Sequence, residues 1–294
     1  MSVAVIINPI SGGTRRESAR ARAELAAAVL SSIAEPGEIL VTERRGHARE
    51  LALGALARGC RLIVAWGGDG TVNEVGSALV GTATPLAIVP SGSGNGLARD
   101  LGIPRRPDRA LTQATRAAPR SIDAGEIGGC LFFNLAGIGF DARVAACFDR
   151  DLAGGRGLAG YLRISVRELL TYRPERYRIG GGATARMLDA LLITVANGSQ
   201  FGNGMQIAPG ARLDDGRLDL VVFEETSRLR TIAALPRLFA GRAAGARGLS
   251  IERIERATIE CDRPMLFHVD GEPVEGGTRL EARVLSAALR VCVG

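Results

Sequence analysis

Through the first third of the chain, short apolar runs alternate with longer amphipathic stretches. Val3–Ile7 is a wholly apolar run, as expected of a strand covered on both faces. Arg15–Ile33 is rich in Ala, Arg and Glu and is predicted helical. Ile39–Thr42 then reads as strand and His47–Arg58 as helix. Leu62–Trp66 is a strand running into Gly67-Gly68-Asp69-Gly70, and Thr71–Leu79 returns to helix. Leu86–Val89 is a strand ending in Pro90-Ser91-Gly92-Ser93-Gly94-Asn95, with a further helix starting near Asn95. This strand–helix alternation predicts a mostly parallel sheet with helices on both faces. Such sheets bind ligands beyond the carboxyl ends of their strands, where both glycine loops fall.

The texture changes after Pro104-Arg105-Arg106-Pro107 and one more helix. From Arg120 on, short apolar runs are separated by Gly, Asp and Pro: Cys130–Leu135, Ala190–Ala196, Leu218–Phe223, Ala257–Cys261, Leu266–Val269 and Leu289–Val293. They predict an antiparallel, β-rich second domain interrupted by one helix, Leu158–Tyr172, with Gly180-Gly181-Gly182 as a loop. The boundary is set near Ile122, giving residues 1–122 and 123–294, the last strand being free to return to the first domain. Leu158, Tyr161, Leu162, Val166, Leu169 and Leu170 share one face of the predicted helix, with Arg163 and Arg167 away from it. A second stretch, Arg228–Arg247, sets Ile232, Leu235, Leu238 and Phe239 among five arginines. Each is read either as a helix packed on its own domain or as a surface for an anionic bilayer.

Composition narrows the chemistry. A chain of 294 residues suggests two domains, at about 150 residues each. With 46% hydrophobic and 23% charged residues it belongs with globular proteins. The net charge is +6 and the pI 9.6. All 37 basic residues are Arg and Lys is absent, for which genomic base composition is the plain explanation. The absence excludes a Walker A lysine, the strand lysine of protein kinases, and Schiff-base or pyridoxal chemistry. Phosphate must therefore be held by Arg, by backbone N–H groups or by a metal.

Met1–Gly13 has neither a charged leader nor a cleavage site and is read as no signal peptide. No run approaches the roughly 18 apolar residues of a spanning helix. The cysteines, Cys60, Cys130, Cys147, Cys261 and Cys292, are odd in number and scattered, which suggests neither zinc nor disulfides. Two histidines, His47 and His268, argue against a His-rich metal site or a Ser-His-Asp hydrolase. The expectation is a soluble cytoplasmic protein with an anionic partner, a nucleotide or an acidic membrane surface, and not a nucleic acid.

Gly67, Gly68 and Gly70 allow backbone to approach a ligand closely, and the helix start after them offers free N–H groups to phosphate. Asp69 suits this loop if it faces Mg²⁺ or accepts a proton from an attacking hydroxyl. The alternative is a tight turn with Asp69 as an N-cap. A second loop, Ser91–Asn95, turns the pair into one composite cradle. Asn73 and Glu74, placed on the first turn of the following helix, face the same crevice. Neither loop is the GxGxxG of dinucleotide oxidoreductases.

Together these motifs resemble the diacylglycerol kinase catalytic-domain superfamily of lipid kinases, which includes bacterial diacylglycerol kinases, sphingosine kinases and ceramide kinases. The matching stretches are Asn8-Pro9-Ile10-Ser11-Gly12, Gly67 to Val75, Pro90 to Pro104, Asn134 to Asp141, Leu213 to Asp219 and Asp270-Gly271-Glu272. They occur in family order along nearly the whole chain. The resemblance implies a Rossmann-like parallel α/β domain, a C-terminal antiparallel β-sandwich domain, and ATP in the cleft between them. It implies nucleotide contacts from Asn8, Ser11, Gly12, Thr42, Gly67, Gly68, Asp69, Gly70, Thr71, Asn73, Glu74, Gly92, Ser93, Gly94 and Asn95. His47 is read as an exposed residue at a helix start. Glu272, Asp270 and Asp69 are implied as the catalytic residues, Glu272 or Asp69 as the base, while Asp270-Gly271 alone reads as a hairpin turn and is open to being both a turn and a site.

A structural Mg²⁺ would take the side chain of Asp215 and the carbonyls of Arg212 and Arg217, in a stretch that otherwise reads as a turn. Asp123 and Arg99 are implied at the acceptor. The second loop is similar to that of sphingosine and ceramide kinases, and Gly96 stands where many bacterial diacylglycerol kinases carry an acid. The expectation is therefore an ATP- and Mg²⁺-dependent lipid kinase with a diacylglycerol-like acceptor. A sphingosine or ceramide acceptor, an NAD-kinase-like enzyme and a non-catalytic nucleotide or lipid sensor are the alternatives. The lipid acceptor implies peripheral association with the inner face of the membrane, and a homodimer is left open.

Overall fold

The computed structural model describes residues 2–12, 19–150, 158–180, 185–202, 205–224 and 248–293; at 149–150, 158–159, 161–162 and 202 it describes backbone alone. The chain forms two compact units, Met1–Ile122 with Ala287–Gly294, and Asp123–Ser286.

The first unit follows the predicted alternation: β1 Val3–Ile7, α1 Ala19–Ser32, β2 Gly37–Val41, α2 His47–Ala57, β3 Leu62–Gly67, α3 Asp69–Leu79, β4 Leu86–Pro90, α4 Gly96–Asp100 and α5 Pro107–Arg116. The strands are parallel in the order β2-β1-β3-β4. Every residue of β1, β3 and β4 is buried. This is the consequence of helices on both faces, and it explains the unbroken apolar runs. Val5, Ile7, Val64, Trp66 and Val89 form a core with Val29 and Leu30 of α1 and Leu111 of α5.

The second unit contains β5 Pro119–Ile127, which begins at the end of the first unit, then β6 Cys130–Phe132, β7 Leu135–Gly139, α6 Phe140–Arg150, α7 Leu158–Thr171, β8 Glu175–Ile179 and β9 Arg186–Ala196. It continues through β10 Gln200–Gly202, β11 Met205–Gln206, β12 Leu218–Glu224, β13 Leu249–Ile254, β14 Arg256–Cys261, β15 Leu266–Val269, β16 Glu272–Glu275 and β17 Arg279–Cys292. The ladders within it are antiparallel, with β9 joining β7, β8 and β12. From Ala287 on, β17 belongs to the first unit, where Val291 pairs with Leu86 in parallel.

Several details depart from the sequence reading. The run Cys130–Leu135 is two strands, because the amides of Phe133, Asn134 and Leu135 all turn to the Asp270 carboxylate and leave the ladder. Two helices, α6 and α7, replace the single one expected. Among the described side chains of α7, Gly160, Ile164, Glu168 and Leu169 are buried while Val166 and Leu170 are exposed; the side chains of Leu158, Tyr161 and Leu162 lie outside those described. The face predicted from apolar positions is thus divided, because Glu168 is drawn inward to Arg143 at 2.7 Å. The stretch Arg228–Arg247 and the loop at Gly181-Gly182 lie outside the described residues.

Candidate active site

In the first unit the two glycine loops interlock through their backbones. Asn8 leaves β1 with its amide donating to the Trp66 carbonyl, and its side-chain Nδ2 donates to Thr71 Oγ1 at 2.8 Å. Ser11 Oγ lies 2.7 Å from Ser91 Oγ, tying the Asn8–Gly12 loop to the Ser91–Asn95 loop. The Ser91 amide donates to the Gly67 carbonyl, which registers the end of β4 against the end of β3. Gly68 and Gly92 then pass so closely that a β-carbon on Gly92 would sit 2.6 Å from Gly68 Cα. Only glycine permits that approach, which explains the residue type in both loops.

Asp69 completes the lock. Its Oδ2 accepts the Asn95 amide and its Oδ1 the Gly96 amide, both at 2.8 Å. It does not cap its own helix, whose N-cap is Gly68. It instead holds the start of α4, where Asn95 sits at φ +52° and braces Gly92 with both ends of its amide. Arg99 closes the same turn, its Nε donating to the Gly94 carbonyl at 2.9 Å. Ser93 is exposed at the tip and Thr42 is buried after β2.

Helix α3 starts at Asp69, so Asn73 and Glu74 stand on its second turn and not its first. Asn73 Oδ1 accepts from Ser77 Oγ at 3.4 Å. The Glu74 carboxylate accepts the amides of Gly46 and Ala48, capping α2 from outside. His47 stands at the start of α2, partly exposed, with Nδ1 accepting the Glu43 amide.

One residue had no sequence signal. Arg22, on α1, is 4% exposed, and its guanidinium donates to the Asn8 carbonyl, Ser11 Oγ and the Ser11 carbonyl at 2.8–2.9 Å. It places a cation beneath the Asn8–Gly12 loop. Among 37 arginines in the chain, nothing in its spacing marks it.

In the second unit, Asp270-Gly271 forms the two-residue turn between β15 and β16, with φ +49° and +88°. Positive φ at both positions is what the Asp-Gly signal predicts. The Asp270 carboxylate accepts the three amides of Phe133, Asn134 and Leu135 at 2.9–3.1 Å. Its carboxylate thereby anchors the turn. Glu272, the first residue of β16, is half-buried.

Asp123 is 2% exposed, and its Oδ2 accepts the Gly216 amide at 2.7 Å. It thereby holds the Asp214–Arg217 turn, in which Asp215 Oδ1 accepts the Arg217 amide. Among the described residues no group of three or more His, Cys, Asp or Glu forms a metal cluster. The Asp215 carboxylate with the carbonyls of Arg212 and Arg217 is a hard-oxygen donor set that fits Mg²⁺ chemistry. Arg253 Nη1 lies 3.9 Å from Asp215 Oδ2, so part of that carboxylate's charge is already balanced.

The family models match in two blocks: the diacylglycerol kinase catalytic domain over residues 2–127, and the YegS C-terminal NAD kinase beta sandwich-like domain over residues 134–293. The chain belongs to this superfamily of lipid kinases. A probable lipid kinase YegS-like from Pseudomonas fluorescens is 34% identical over 258 residues, covering 86% of this chain and 84% of that one. One from Pseudomonas aeruginosa is 35% identical over 257 residues, covering 86% and 83%. A putative diacylglycerol kinase from Bacillus anthracis has the same fold, with a TM-score of 0.80 at 22% identity, covering 100% of this chain and 97% of that one.

As a lipid kinase of this superfamily, the chain has an α/β unit and a β-sandwich-like unit. Of the expected nucleotide residues, Asn8, Ser11, Gly67, Gly68, Asp69, Thr71, Gly92 and Asn95 are tied together in the interlocked loops of the first unit, while Glu74 bonds the start of α2 and Asn73 bonds Ser77. Of the expected acids, Asp69, Glu74, Asp123 and Asp270 all bond backbone amides. No helix among the described residues is long and apolar enough to cross a membrane.

Proposed function

We propose that this lipid kinase transfers the γ-phosphoryl group of ATP to the hydroxyl of a diacylglycerol-like lipid. The observation that carries the nucleotide assignment is the Gly68–Gly92 approach. Two loops at adjacent strand ends bring their backbones against each other. Amides at the start of α3 hold phosphate in this reading without any lysine, those of Asn95 and Gly96 at the start of α4 being taken by Asp69, in keeping with a chain whose cations are all arginines. Asn8, Ser11, Gly12, Thr42, Gly67, Thr71, Asn73, Ser93 and Gly94 complete the nucleotide set in this reading. Asp69 serves it by fixing the second loop.

The acceptor hydroxyl gives its proton to Glu272 while its oxygen bonds to the γ-phosphorus and the bond to the leaving ADP oxygen breaks. Bound with the nucleotide, Mg²⁺ neutralises phosphate charge. Glu272 is taken as the base from its place in the Asp270-Gly271-Glu272 motif; both oxygens of Asp69 and of Asp270 accept backbone amides. A diacylglycerol-like acceptor is favoured by the catalytic-domain family that matches residues 2–127. Val166 and Leu170, exposed on α7 beside the exposed Arg163 and Arg167, suit contact with an anionic bilayer.

A panel of diacylglycerol, sphingosine, ceramide and a polyprenol, each offered with γ-labelled ATP and Mg²⁺, tests the reading. Label is expected in diacylglycerol foremost. Label only in the amine-bearing sphingosine would reassign the acceptor.

A further inference from the structure

The second unit contains a buried ionisable pair that the reaction as described does not use. His268, on β15, is 2% exposed, and Asp141, in the first turn of α6, is 4% exposed. His268 Nε2 lies 2.9 Å from Asp141 Oδ2. The approach is a short electrostatic contact, not a well-aligned hydrogen bond, and that oxygen has no hydrogen-bond partner. The two side chains meet over Gly137 of β7, where any β-carbon would collide with both. Gly137 is paired directly opposite His268 in the ladder, so the missing side chain creates the space that the pair occupies.

The other ring nitrogen faces the turn. His268 Nδ1 accepts the Gly271 amide at 3.3 Å. A nitrogen that accepts an N–H carries no proton, so in this arrangement the proton sits on Nε2, toward Asp141. The chain of contacts runs from α6 through His268 to Gly271, the residue before Glu272. Gly271 is held at φ +88° and Asp270 at +49°, a turn that must be kept in the left-handed region. Asp270 clamps one end of it through the amides of residues 133–135. His268 clamps the other.

We infer that the buried Asp141–His268 pair is a positioning device for Glu272, with Asp141 fixing the His268 tautomer and His268 fixing the Gly271 amide. The inference rests on the reading of Glu272 as the proton acceptor. A carboxylate on the residue that follows a two-residue turn shifts when the turn rocks, and phosphoryl transfer needs it within hydrogen-bond reach of one hydroxyl.

Two substitutions separate the two halves of the imidazole. Asn in place of His268 puts an oxygen near the Nδ1 position and keeps an acceptor for Gly271. Gln puts its amide near the Nε2 position and keeps only the contact to Asp141. Exchange of the Gly271 amide, read by ¹⁵N NMR, reports the clamp without any assay of activity. H268Q is expected to lose Gly271 protection and to lower kcat about 10- to 100-fold, with KM for ATP within about twofold of the parent. H268N is expected to keep protection and to hold kcat within about threefold.

Equal kcat loss in both variants, Gly271 protection retained in H268Q, or loss seen only in KM would overturn the inference. If H268Q does not fold, Asp141→Asn carries the test. It is expected to give a mixture of His268 tautomers by ¹⁵N shift and a lower kcat. A single tautomer with unchanged kcat counts against the proposal. Wild-type protein that phosphorylates no lipid refutes the functional reading, while the exchange data still decide the clamp on the turn.

Discussion

The two units build their candidate sites by opposite means. In the first, the site is backbone: glycines that pass within contact distance, amides at helix starts, and one carboxylate that stitches the loops. In the second, the site is a turn held by side chains that come from far along the sequence, Asp270 to residues 133–135 and His268 to Asp141. The first arrangement suits a ligand shared by many enzymes, since phosphate asks only for amides and charge. The second suits a single proton transfer, where one carboxylate has to be aimed.

Substitutions should therefore divide by unit, and the largest effect is expected at the stitch. Asp69→Ala strands two buried amides and frees the second loop; kcat/KM for ATP should fall about 100-fold, with a Tm drop of several degrees. Steady-state kinetics and a thermal melt check both. A variant with normal kinetics would break the claim that the loops act as one cradle.

Gly92→Ala comes next. The added methyl meets Gly68 Cα and Asn95 Oδ1. KM for ATP should rise about tenfold while kcat changes little, because the damage is to ground-state binding. A kcat loss instead would place the loop in the chemical step.

Gly137→Ala, in the second unit, is expected to act on stability first. Crowding the Asp141–His268 pair should cost about 1–3 kcal/mol, measured by urea unfolding. An unchanged midpoint would mean that the pair tolerates displacement.

The smallest effect is at alkaline pH. Burial pushes the Tyr172 hydroxyl up to about 12, and burial raises Tyr177 further. A group whose folded pKa lies above its unfolded value stabilises the fold below the unfolded pKa, about 10 for Tyr. That contribution fades as pH rises through the folded value. Stability followed by circular dichroism should therefore decline between about pH 10 and 12. Tyr172→Phe keeps the ring against Phe140, centroids 5.5 Å apart in the parent, and should soften that decline.

What the sequence revealed follows the same division. The parallel strands were legible because burial on both faces leaves unbroken apolar runs, and the glycine loops because a backbone site is a contiguous motif. The second unit was legible as antiparallel but not in its details. Nothing local in Phe133-Asn134 announces that Asp270 will take their amides, so one apolar run was read where two strands form. Helix α6 was missed because its buried apolar positions, Ala142, Val144, Ala145 and Ala146, make a short and weakly apolar pattern. The alternation of buried Leu280 and Ala282 with exposed neighbours was readable and would have extended the last strand back to Arg279. Arg22 and the Asp141–His268 pair carry no local signal, since each is defined by what the fold brings to it.

The division of labour between the units is tested most directly at Glu272. Binding of a non-hydrolysable ATP analogue to Glu272→Gln, measured beside its single-turnover phosphoryl transfer, separates holding the nucleotide from activating the acceptor. The expected result is an affinity within about twofold of the parent and a transfer rate lower by about 10²- to 10⁴-fold. Transfer at the parental rate, or affinity lost in proportion to rate, would contradict it.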